Sequence, residues 1–119
     1  MKITYKIELE PVAFIAGDYQ EFQYNIADLE SGAGVSLEAC QLKMALYPYG
    51  DNENPQLVVD GELLDNNVSA FKVKLQSDAT KDLSGLYVQQ PIIIDSDGQV
   101  FRPGQGTVNI HPRAFDENF

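Results

Sequence analysis

Phe71-Lys72-Val73-Lys74-Leu75-Gln76 alternates apolar and polar side chains at every step, and that period of two decides the fold. A strand with one dry face carries this pattern, whereas a helix brings apolar residues back every three or four positions. Working outward, Phe22, Tyr24 and Ile26 fall on one side of a second run, with Glu21, Gln23 and Asn25 on the other. Ile3, Tyr5, Ile7 and Leu9 repeat the pattern near the N-terminus until Pro11 stops it. Cys40, Leu42, Met44 and Leu46 form another dry row against Gln41, Lys43, Ala45 and Tyr47. The good helix formers between Leu37 and Leu46 make helix the rival there; the strict alternation favours strand.

Turn residues punctuate these runs. Gly17-Asp18, the Ser31 to Gly34 loop, the polar Pro48 to Asn54 loop and Asp97-Gly98 each separate two strands. Gln56 to Asp60 reads as a short edge strand turning at Asp60-Gly61. Ser77 to Leu83 reads as one helical turn that Ser77 or Asp78 could cap. Leu86 to Asp95 is apolar on both faces, the mark of a central strand. Pro91 conflicts with that, since it cannot donate to a ladder, and it predicts a bulge or a local edge. Arg102-Pro103-Gly104-Gln105-Gly106 reads as a bend or bulge entering the last strand, where Val108 and Ile110 face inward and Pro112 closes the run. The expectation is an all-β fold, an antiparallel sandwich or barrel of seven or eight strands with a short helical turn near residues 78–83. Residues 1–112 form one domain and residues 113–119 a tail.

A chain of 119 residues holds one hydrophobic core. Its 18 acidic and 8 basic side chains give a net charge of −10, which repels phosphate backbones and anionic membrane surfaces. No nucleic-acid or membrane partner is expected. The single cysteine excludes an internal disulfide and fits a reducing compartment. The alternating N-terminus does not read as a signal peptide, so the chain is expected in the cytoplasm when made.

A search for chemistry finds little. His111 is the only histidine and has no nucleophile motif beside it. Cys40 lies on the dry side of its strand, where a thiol is inert. Carboxylates gather at Asp51 to Asn54, Asp60 to Glu62 and Asp95 to Gly98; turn chemistry explains them better than a bound cation. The glycines of Arg102 to Gly106 precede a strand and lack the helix start of a phosphate cradle. No catalytic, cofactor or metal residue is assigned, and the protein reads as a non-enzyme.

Four stretches, in order, carry a resemblance. They are the Gly17-Asp18 turn with Tyr19, Phe22 and Tyr24; Gly34-Val35-Ser36-Leu37 through Lys43-Met44-Ala45-Leu46; Thr80-Lys81-Asp82-Leu83-Ser84-Gly85-Leu86-Tyr87; and Ile94 to Val100 with Gly106 to Ile110. Together they resemble the small immunoglobulin-like β-sandwich structural proteins of bacteriophages and prophages, and the N-terminal domain of phage baseplate upper proteins. Gln89-Gln90-Pro91 departs from that group's alternation, and a small stand-alone component without the further modules of a baseplate upper protein is expected.

The resemblance implies an immunoglobulin-like sandwich and a stand-alone virion or tail component that works by protein–protein assembly. Its partners would be other phage structural proteins and further copies of itself, and it would reside in the virion once assembled. Leu57 and Val59 on the edge strand, with Phe115 and Phe119 in the tail, are the candidate contacts. Tyr87 is the candidate structural corner, a buried ring whose hydroxyl returns to a nearby carbonyl. A carbohydrate- or ligand-binding module is the alternative. It would need exposed aromatics, for which Tyr47 and Tyr49 are the candidates, and the lack of tryptophan counts against it.

Overall fold

A computed structural model describes residues 7–28 and 30–113, with the side chains of Ile7 and Glu8 set aside. Ile3, Tyr5, Phe115 and Phe119 therefore lie outside the described residues. Within them the fold is all-β, with nine strands and one helical turn. In chain order the strands are β1 (Ile7–Glu8), β2 (Val12–Ile15), β3 (Gln20–Asn25), β4 (Gln41–Pro48), β5 (Leu57–Leu64), β6 (Asn67–Leu75), β7 (Gly85–Ile94), β8 (Val100–Phe101) and β9 (Gly104–His111). The turn α1 spans Ser77–Thr80.

The hydrogen-bonded path runs β1-β9-β7-β4-β5-β6-β3, with β2 also on β9 and β8 on β7. It is mixed, which corrects the all-antiparallel expectation. β1 and β2 pair parallel with β9, at Ile7↔Gly104 and Val12↔Val108. Together they cover an edge that β9 would otherwise leave open. All other named strand pairings are antiparallel.

The path curls because β5 serves two neighbours. Its first half, Leu57 to Asp60, pairs with β4, and its second half, from Gly61, pairs with β6. Asp60-Gly61 is therefore not a turn, as the sequence suggested; it is where one strand passes between two walls of the fold. The reversal comes later, at Asp65-Asn66. Gly61 is required by crowding, since a Cβ there would stand 2.7 Å from Phe71 Cδ2.

Between the walls, Phe22 and Tyr24 of β3 and Phe71, Val73 and Leu75 of β6 meet Leu42, Met44 and Leu46 of β4, Ile93 of β7 and Val108 and Ile110 of β9. Each of the fully buried aliphatic side chains contributes about 1.5–3 kcal/mol relative to exposure. The alternation seen in Phe71 to Gln76 thus becomes a dry side and a wet side. On the wet side Lys74 pairs with Glu62 at 3.0 Å, and Lys72 lies 3.9 Å from the same carboxylate.

Pro91 sits in β7 without a bulge against β4, where the register runs unbroken through Met44↔Pro91. On the other side β9 pairs as far as Gln89, and β8 begins only at Ile93. The residue without an N–H occupies that gap in strand pairing. Arg102 to Gly106 differs from expectation too, because β9 already starts at Gly104. Gly106 lets Leu9 come close: a Cβ there would stand 2.8 Å from Leu9 Cβ. The cap of α1 is Gln76, which makes no side-chain capping bond; neither Ser77 nor Asp78 fills the role. Thr80 is buried instead and accepts a hydrogen bond from Gly17 N at 3.1 Å.

Candidate functional site

The residues proposed for contact divide. Leu57 and Val59 turn inward and pack, partly buried, against the core, so they are corrected as outward anchors. Nor is this an edge strand, since β5 lies between β4 and β6 in the path; its outward side chain is Val58, 50% exposed. Strand parity explains the swap: residues 57 and 59 share a side, and that side is the dry one. The pair Phe115 and Phe119 falls outside the described residues. Tyr87 is buried, and its hydroxyl donates to the Ser84 carbonyl at 3.3 Å. Gly85, with φ +109°, supplies the bend between them.

Of the residues weighed for chemistry, Cys40 and Asp95 come together, flanking the paired positions Gln41↔Ile94. His111 ends β9 exposed, with its carbonyl accepting from Ala16 N. Cys40 is half-buried just before β4; burial, and secondly the Asp95 carboxylate, push its thiol pKa up. Asp95 Oδ1 accepts from Asp97 N and Gln99 N, and Asp51 Oδ1 from Glu53 N and Asn54 N. Those backbone amides, Glu53 first, hold the Asp51 carboxyl below its usual range. Both loops are thus organised by side chain-to-backbone turns. Among the described residues no group of three or more His, Cys, Asp or Glu side chains could hold a metal ion. No described helix is long and apolar enough to cross a membrane.

The outer face of β4, β7 and β9 is where concave surface gathers. One hollow of about 250 Å³ is lined by Tyr47, Asp51, Asn52, Val88, Gln90 and Gln105, among others. A second, of about 400 Å³, includes Leu9, Pro11, Tyr49, Val88, Gln105 and Thr107. They share Val88 and Gln105, so they adjoin. The register Tyr47↔Val88↔Thr107 sets three of these residues in one row across the strands. Sequence reading reached the two tyrosines but not the glutamines, because nothing local marks a glutamine on a wet face. A third hollow, about 230 Å³, lies where β3 faces Leu9, Pro91, Pro103 and Gly104.

No family model matches this chain, and no curated protein does. Solved structures do match. CopC from Methylosinus trichosporium OB3b aligns over 89% of this chain and 88% of its own, at 13% identity and a TM-score of 0.52. At that identity the likeness concerns the fold alone. It places this arrangement of strands among known β architectures.

Proposed function

We propose that this protein is a non-enzymatic structural component of a phage or prophage particle, associated with the tail or baseplate, and that it works by edge-to-edge assembly. The observation that carries the reading is β3. It pairs with β6 on one side, and among the described residues it has no strand partner on the other. Ile26 N bonds to Ser69 O across to β6. By the alternation of an antiparallel ladder, the N–H groups of Glu21, Gln23 and Asn25 therefore point away from the sheet. Glu21 is the only charged side chain of β3, so the edge lacks the lysines and prolines that commonly block pairing. A strand from another subunit could add there, main chain to main chain.

The finer fold reading belongs to the same proposal. The chain is an immunoglobulin-like sandwich whose corner is Tyr87, whose two sheets are joined by β5 and whose first strand splits into β1 and β2. The four resemblance stretches support it, together with the Ser84–Tyr87 bond.

Sedimentation velocity across a concentration series tests the assembly mechanism. Wild type is expected to self-associate, or to bind a structural protein encoded beside it. Gln23→Pro removes one outward N–H without touching the β6 ladder and should abolish that association. Association unchanged in Gln23→Pro rules out this edge; a gene neighbourhood of metabolic enzymes would count against the phage setting.

A further inference from the structure

We propose that the outer face of β4, β7 and β9 binds a neutral oligosaccharide across two adjoining subsites, one lined by Tyr47 and the other by Tyr49. The two hollows, about 250 and 400 Å³, fall together within the roughly 300–1,000 Å³ of small-ligand sites. Because they share Val88 and Gln105, a ligand spanning both would cross one apolar side chain and one amide at the junction. Among the described residues each hollow has one tyrosine, a ring with an apolar face and a polar tip, suited to the CH-bearing face of a sugar ring.

Tyr49 is 64% exposed, yet its backbone is fixed. Tyr49 N bonds to Leu86 O at 3.0 Å, Asp51 N bonds to Pro48 O at 3.0 Å, and Gly50 holds φ +89°. A large ring is thus presented to water on a rigid base, which lowers the ordering cost of binding.

The amides name the ligand class. Continuing the β7–β9 register one step past Gln89↔Gly106 sets Gln90 beside Gln105, both on the Val88 side of the sheet. Neither makes a side-chain hydrogen bond among the described residues. Each amide offers donors and an acceptor at once, and sugar hydroxyls do the same. A proline-rich peptide, whose backbone carbonyls only accept, would leave the glutamine oxygens unmatched. Charge narrows the class further. Among the described residues Asp51 is the one carboxylate lining the two hollows, and no Lys, Arg or His joins it; its pKa is lowered by backbone amides, and the chain carries −10 overall. Anionic glycans would be repelled.

An amide-detected NMR titration of the full chain decides the matter. The probes are tetrasaccharides of the gluco-, galacto- and manno-series, tetragalacturonate as the acidic counterpart, and decaproline. Saturable binding of at least one neutral series is expected, with shifts centred on Tyr49, Val88 and Gln105. Tyr49→Ala and Gln105→Ala, both at exposed positions and checked by thermal melts, should each weaken it by roughly tenfold or more. Three outcomes overturn the proposal: no neutral series saturates, tetragalacturonate or decaproline binds best, or both variants bind as wild type does. None of these depends on Gln23 or on self-association, so this site and the assembly edge stand or fall separately.

Discussion

The Tyr24 hydroxyl donates to Gln89 Oε1 at 2.6 Å, joining β3 to β7 through the core. The two residues lie 65 positions apart in the chain, and both are buried. The Tyr24 ring also packs on Phe71, with centroids 5.1 Å apart.

Removing only the hydroxyl leaves a buried acceptor without its partner, and that asymmetry is measurable. Tyr24→Phe should lower unfolding free energy by about 1–3 kcal/mol in urea titrations. Adding Gln89→Leu to that variant should recover much of the loss, because both polar groups are then gone. A double variant no more stable than Tyr24→Phe would show that the bond is not what matters there.

The same tyrosine should make the protein sensitive to alkali. Burial raises the Tyr24 pKa in the folded state above its ordinary value near 10. Below pH 10 both states keep the proton and stability is unaffected. Above it the unfolded state loses a proton that the folded state retains, so stability falls by about 1.4 kcal/mol per pH unit until the folded group titrates. Unfolding free energies measured between pH 9 and 11 should show this decline (about those limits, set by the free phenol), and Tyr24→Phe should flatten it.

At the corner, Tyr87→Phe removes a 3.3 Å bond to the Ser84 carbonyl and should cost about 0.5–1.5 kcal/mol while keeping the fold. Gly85→Ala forces a side chain into φ +109° and should cost more, about 1–3 kcal/mol. A Phe variant as stable as wild type would remove the corner role from the hydroxyl.

Gly106→Ala addresses the parallel pairing. The added methyl would meet Leu9 Cβ at 2.8 Å and Leu9 O at 2.9 Å. Separation of β1 from β9 is expected, at about 1–3 kcal/mol, with faster amide exchange at Leu9, whose N–H bonds to Gln105 O. Unchanged exchange there would mean that the strands can move apart without loosening.

Strands whose alternation is strict could be read directly. The rows Phe22–Tyr24, Leu42–Met44–Leu46, Phe71–Val73–Leu75 and Val108–Ile110 all became core. What stayed hidden depends on distant partners. Nothing near Val12 signals that it lies beside Val108. Asp60-Gly61 carries a turn dipeptide because Phe71 leaves no room for a side chain, not because the chain reverses. Pro91 looked disruptive because the gap between β8 and β9 is invisible from β7 alone. The hollows are equally opaque, since their shared glutamine and valine come from different strands.

The passage of β5 from one wall to the other has a practical outcome for anyone re-engineering this molecule. New termini or an inserted peptide between Asp60 and Gly61 would sever the two ladders from each other, so neither wall would survive as a fragment. The same insertion at Asp65-Asn66, in the exposed reversal before β6, would leave both ladders whole and should be tolerated.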